Sequence, residues 1–274
     1  MDLCVFPPGH CVYSYELNGI PAEVMQVHEV FLTFTPPNQS RMRKHIPNTI
    51  TLLNLAFGSI ALYMVFSGKP VTALIMLLAA SLCDFLDGMT AKLLHVVSDI
   101  GKQLDSLSDL VSFGLVPAAM VFTILQQAMT GHSPGNVITF IVLVSVVLIP
   151  VMAAIRLARF NLQEDTGVFF GLPVPAFALF WTGIYFDYSQ TGMLFNFEVQ
   201  WWYIVSLMIL LSLFMVLHVP MMTLKFQGLG MKKNYLRYIL LGISAILLIT
   251  TGIPGLSLAI LVYILLSLFR IILT

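Results

Sequence analysis

The chain has 274 residues, of which 58% are hydrophobic and 9% charged, whereas a soluble globular domain carries charge on roughly a quarter of its residues. Its 13 basic and 13 acidic side chains cancel, so no overall field favours nucleic acid or an acidic partner. Cys4, Cys11 and Cys83 make no CxxC pair or disulfide framework, and the histidines make no HExxH pair, so a metal site here has to be built from oxygen.

Residues 1–40 hold no Lys or Arg, several Pro and Gly, and no apolar run long enough for a signal sequence. Residues 1–41 are therefore expected to be a disordered or non-native extension, with the membrane domain starting at Met42, ahead of Arg43, Lys44 and His45. A bilayer-spanning helix needs about 20 mostly apolar residues. That window predicts eight spans near 46–66, 71–92, 101–127, 137–160, 170–188, 201–223, 234–251 and 254–273. Turn residues punctuate them, as in Ser67-Gly68-Lys69-Pro70, Gly131-His132-Ser133-Pro134-Gly135, Gln163-Glu164-Asp165 and Gly252-Ile253-Pro254-Gly255. The expected fold is all-α, a polytopic membrane bundle of about eight transmembrane helices.

With the N-terminus inside, every Lys and Arg except Lys69 falls at or near a cytoplasmic end, from Arg41, Arg43 and Lys44 through Lys92, Lys102, Arg156 and Arg159 to Arg237 and Arg270. Positive residues are retained in short cytoplasmic loops, so this asymmetry predicts both the span count and the direction.

The second and third spans carry the chemistry. Asp84 and Asp87 are three apart, and Asp105 and Asp109 four apart, so each pair shares one helical face. A turn near residues 95–99 makes the two helices antiparallel, which puts Asp84 level with Asp109 and Asp87 level with Asp105. The inner pair lies roughly 14 Å from the turn at about 1.5 Å per residue. Lys92 and Gly101 fall nearer the aqueous mouth. Lys92 and Lys102 can neutralise two of the four acids at most, and close carboxylates otherwise repel. Divalent cations resolve that repulsion, since Mg²⁺, Mn²⁺ and Ca²⁺ take oxygen ligands and four carboxylates can serve two ions. Gly88 and Gly101 flank the acids, where a missing side chain lets a ligand or a neighbouring helix come close.

The pattern Asp84-x2-Asp87-Gly88-x2-Ala91-x9-Gly101-x3-Asp105-x3-Asp109 resembles the signature of the CDP-alcohol phosphatidyltransferase family. Lys92 stands where that family usually carries Arg, so a point charge replaces a planar fork. The resemblance covers about residues 43–225. It implies a six-helix catalytic core in a membrane domain over 42–228, followed by two additional transmembrane helices in 229–274. Leu104-Asp105-Ser106-Leu107-Ser108-Asp109-Leu110-Val111-Ser112-Phe113-Gly114 is similar to the serine-using branch. So are Arg156-Leu157-Ala158-Arg159-Phe160-Asn161, Gly171-Leu172-Pro173-Val174-Pro175 and Ile46-Pro47-Asn48-Thr49-Ile50-Thr51.

The resemblance implies transfer of the phosphatidyl group of CDP-diacylglycerol to L-serine at the cytoplasmic face of a lipid bilayer, by a homodimer. It implies Mg²⁺ or Mn²⁺, two ions, held by Asp84, Asp87, Asp105 and Asp109, with Asp109 also the general base. Gly88, Ala91, Lys92 and Gly101 would bind substrate. Arg156 and Arg159 would meet the serine carboxylate or a phosphate. Asn161 and Lys225 are weaker candidates. Two other readings stand beside this one: a sibling enzyme using glycerol phosphate or inositol phosphate, and a cation-coupled transporter, since intramembrane acids also mark ion paths. Transporters commonly show duplicated halves, and no second copy of the acidic hairpin is present.

Overall fold

The computed structural model describes residues 39–94, 98–129, 135–162, 169–191, 200–222 and 231–273, all within the compact unit Gln39–Thr274. The expected N-terminal extension, apart from its last three residues, lies outside the described residues, as do the centres of several expected turns. Among the described residues there are eight helices: α1 (Gln39–Phe66), α2 (Pro70–Leu93), α3 (Asp99–Ala128), α4 (Asn136–Leu162), α5 (Val174–Phe186), α6 (Trp201–Val216), α7 (Met231–Thr251) and α8 (Gly255–Leu273). A π-helical turn, Leu110–Leu115, interrupts α3, and another, Asp187–Thr191, follows α5.

Local chemistry sets the boundaries. Pro70 opens α2 at a position where its missing N–H costs nothing. Ser98 caps α3 by accepting a 2.9 Å hydrogen bond from the Gly101 amide, and Asp99 sits in the first turn, where the helix dipole favours an anion. Gly252 at φ 67° and Pro254 divide α7 from α8, as the sequence pattern predicts.

Five helical stretches are long and apolar enough to cross a bilayer on their own: His45–Phe66, Pro70–Leu93, Asp99–Ala128, Asn136–Leu162 and Asn234–Thr251. Their outer faces present Leu52, Ile60, Phe140, Val144, Leu241 and Ile249, as a lipid-facing surface requires. The protein is a polytopic helical membrane protein.

Two expected spans are shorter as helices. In place of 170–188, α5 has 13 residues and is preceded by β1 (Phe169–Phe170). In place of 201–223, α6 stops at Val216, and β2 (Pro220–Met221) pairs antiparallel with β1. Hydropathy averages over a window and scores an apolar strand like an apolar helix. α5 is also the most enclosed helix, with Phe177, Phe180, Trp181 and Tyr185 at 2% exposure or less. The acids are positioned by α1, which packs along both α2 and α3.

Candidate metal and substrate site

Asp84, Asp105 and Asp109 each offer a carboxylate oxygen, and these oxygens lie within 4.8 Å of one another. The antiparallel hairpin thus brings together three of the four acids, with Asp84 and Asp109 within hydrogen-bonding reach. Asp87 stands to one side, 6% exposed, and its Oδ2 accepts a 2.6 Å hydrogen bond from the Thr51 hydroxyl. Asp109 is 8% exposed, and its Oδ1 accepts from the Asn54 side-chain amide at 3.2 Å. Asn54 in turn accepts at Oδ1 from the Ser112 hydroxyl at 2.7 Å. Oδ1 of Asp105 is buried without a hydrogen-bond partner.

A buried carboxylate oxygen with no donor costs several kcal/mol in a medium that cannot solvate it. Grouped carboxylates repel one another as well. A hard divalent cation removes both penalties with the oxygen ligands on hand, so the donor set fits such an ion.

Beside the acids is a cleft of about 150 Å³ lined by Pro47, Asn48, Thr51, Asp87, Gly88, Ala91, Ser98, Gly101, Lys102 and Asp105. Its two glycines play different parts. A Cβ on Gly88 would meet nothing within 4 Å, so that position faces open space. A Cβ on Gly101 would come within 2.9 Å of Asn48 Oδ1 and 2.8 Å of Ser98 Oγ, so that absence lets α1 and the α3 cap meet. Lys92 is exposed and outside the cleft lining, which takes Lys102 instead.

Arg156 and Arg159 line a separate small cavity of about 30 Å³ with Phe160, Phe170 and the Met215–His218 stretch. Arg159 Nη1 donates to the Val216 carbonyl at 3.0 Å, bracing α4 to the end of α6. Arg156 is half-buried, its Nε has no hydrogen-bond partner, and it interacts electrostatically with Asp109 and Tyr263. Asn161 donates to Ser106 Oγ at 2.7 Å, tying the end of α4 to the residue after Asp105. Lys225 lies outside the described residues.

The sequence pattern alone does not single out Thr51, Asn54 or Ser112 as partners of the acids, and it offers Lys102 only as a neutralising charge. A signal existed for the first two: Asn48, Thr51, Asn54 and Gly58 recur every three or four residues along an apolar helix, and the last three are buried.

A carboxylate cluster gathered inside a helical membrane bundle, beside a cleft that contains two glycines, defines the class: a polytopic membrane protein with an intramembrane acidic site whose donors fit a hard cation. The family whose model matches is CDP-alcohol phosphatidyltransferase, over residues 44–211. That is more than half of the chain, and the chain belongs to this family. It is similar to the CDP-diacylglycerol--serine O-phosphatidyltransferase of Mycobacterium leprae (strain TN), 31% identical over 57% of this chain and 50% of the relative. It is similar to the protein of that name from Mycobacterium tuberculosis (strain ATCC 25618 / H37Rv), 29% identical over 69% of this chain and 64% of the relative. The one from Methanocaldococcus jannaschii is 33% identical over 50% of this chain and 59% of the relative. The chain thus spans from half to just under two thirds of these relatives.

Proposed function

We propose that the protein transfers the phosphatidyl group of CDP-diacylglycerol to L-serine, giving phosphatidylserine and CMP. The observation that carries this reading is the gathering of Asp84, Asp105 and Asp109 within 4.8 Å next to a cleft that contains Gly88, Ala91 and Gly101. Serine as the acceptor is supported by the branch-like stretches around Asp105 and Arg156 and by the names of the relatives.

Asp84, Asp87, Asp105 and Asp109 would hold Mg²⁺ or Mn²⁺, two ions, which would supply positive charge to the pyrophosphate and to the departing CMP. Gly88 and Ala91 leave room for the nucleotide diphosphate, Gly101 shapes the facing wall, and Lys92 adds positive charge at the rim. The serine hydroxyl oxygen bonds to the lipid-side phosphorus as the bond from that phosphorus to the CMP oxygen breaks. The hydroxyl proton passes to the Asp109 carboxylate, a transfer that becomes favourable only as the new bond forms. Arg156, with Arg159 braced beside it on the Val216 carbonyl, attracts the serine carboxylate through a charge-assisted pair. The protein works as a homodimer with its site toward the cytoplasm.

The test is CMP release by purified full-length chain given CDP-diacylglycerol and a panel of labelled alcohols. Release is expected with L-serine. Release with glycerol phosphate or inositol phosphate but not serine would overturn the acceptor and leave the phosphatidyl-transfer chemistry standing.

A further inference from the structure

We infer that α1 is the third wall of the metal centre, and that Thr51 and Asn54 are positioning residues that set which carboxylate oxygens are free to bind a cation. The inference rests on the metal reading above, and it concerns residues outside the acidic motif.

Thr51 and Asn54 lie on one face of α1 at 3% and 0% exposure, in a helix whose other faces present Leu52, Leu53 and Ile60 outward. A buried polar side chain in a lipid-facing helix is costly unless its donors and acceptors are used. Both are used on the acids. The Thr51 hydroxyl donates to Asp87 Oδ2 at 2.6 Å, and the Asn54 amide to Asp109 Oδ1 at 3.2 Å. Each of these two carboxylates therefore has one oxygen held by α1. Neutral donors do this without cancelling the negative charge that a cation requires.

The amide has a fixed sense. Ser112 Oγ donates to Asn54 Oδ1 at 2.7 Å, so the oxygen side of the amide is taken and the NH₂ side must face Asp109. Ser112 reaches α1 from the π turn Leu110–Leu115, which begins directly after Asp109. Such turns insert one extra residue and rotate the next side chains, a feature frequent at functional sites. Gly58, one turn beyond Asn54, provides the space: a Cβ there would lie 2.1 Å from Ser112 Oγ and 3.0 Å from its Cα. Gly58, Ser112 and Asn54 thus form one lock behind Asp109.

Partners that orient a ligand are worth about 10- to 100-fold in metal affinity. The test is direct Mn²⁺ binding to detergent-solubilised full-length protein without substrate, counting free Mn²⁺ by electron paramagnetic resonance. Thr51→Val and Asn54→Leu, each close to its parent in shape, are expected to weaken binding about tenfold. Thr51→Ser, which keeps the hydroxyl, is expected to retain the wild-type affinity. Gly58→Ala, which touches no carboxylate, is expected to shift affinity in the direction of Asn54→Leu by displacing Ser112. Where Asn54→Leu fails to accumulate in membranes, Ser112→Ala frees the same amide to rotate and is expected to weaken binding. Wild-type affinity in the Val and Leu variants would reduce both contacts to helix packing and overturn the inference. An equal loss in Thr51→Ser and Thr51→Val would do the same for the hydroxyl. Wild-type protein that binds no Mn²⁺ would sink the metal reading itself, a result distinct from either.

Discussion

At the scale of single residues, the four acids divide by what already holds them. Asp105 has a buried oxygen with no partner, and Asp84 faces Asp109, whereas Asp87 is engaged by Thr51. Replacing any of them by Asn removes one unit of charge at nearly constant volume. Asp84→Asn, Asp105→Asn and Asp109→Asn are each expected to lower CMP release by about 100-fold or more, at unchanged membrane abundance measured by immunoblot. A chelator added to washed wild-type membranes is expected to abolish release, and added Mg²⁺ or Mn²⁺ to restore it. The two arginines are expected to separate as well. Arg159 spends a donor on the Val216 carbonyl, whereas Arg156 keeps an unpartnered Nε and interacts electrostatically with Asp109. Loss of a charge-assisted contact to a carboxylate costs a few kcal/mol at most. Arg156→Ala is therefore expected to raise the serine KM by about tenfold while the CDP-diacylglycerol KM changes little, and Arg159→Ala to reduce protein stability more than it changes either KM. Equal rises in both KM values for Arg156→Ala would mean that this side chain holds phosphate.

At the scale of elements, the short β1–β2 pairing closes the cavity that holds the arginines, and a glycine sets its geometry. Gly171 has φ 72°, and a Cβ there would sit 2.3 Å from the Met215 carbonyl oxygen. Its own N–H donates to Val219 O at 2.9 Å. The left-handed backbone alone costs a non-glycine residue of order 1–3 kcal/mol when held there, and the clash is with backbone that cannot rotate away. Gly171→Ala is accordingly expected to lower the Tm of purified protein by several degrees, read by a thermal-shift assay in detergent, with less serine-dependent activity in what remains folded. No sequence window announces this element, because Phe169, Phe170 and Leu172 score as span residues. The acidic hairpin was partly legible for the opposite reason: its spacing is local, so helical geometry alone sets Asp84 level with Asp109, but it does not show that Asp87 turns aside to Thr51. The contribution of α1 was not legible in that way. Thr51 and Asn54 meet their partners across 36 and 55 residues of chain, and a hydroxyl or amide in an apolar helix shows its purpose only once the neighbouring helices are packed on it. The π turn was hidden too, since Leu110–Leu115 reads as ordinary apolar helix until Ser112 is seen turned toward α1.

At the scale of the whole molecule, the functional groups collect at one end of the bundle. The C-terminal end of α2 and the N-terminal end of α3 carry the acids, Asn161 ties the end of α4 to Ser106, and Arg159 ties it to the end of α6. At the opposite end, Ser67-Gly68-Lys69 links α1 to α2. Lys69 and Lys92, both exposed, lie at the two ends of α2, a 24-residue helix of roughly 36 Å at about 1.5 Å per residue, and are expected to mark opposite surfaces of the membrane. The positive-inside rule predicts that the Lys92 end faces the cytoplasm. Substituted-cysteine labelling tests this directly. With Cys4, Cys11 and Cys83 replaced, Lys69→Cys is expected to react with a membrane-impermeant maleimide in intact cells, and Lys92→Cys only after permeabilisation. The reverse pattern would put the acids on the outer side, and labelling of both positions in intact cells would show that α2 does not separate two aqueous compartments. Because the readout is chemical access, it bears on orientation alone and holds whichever alcohol the site accepts.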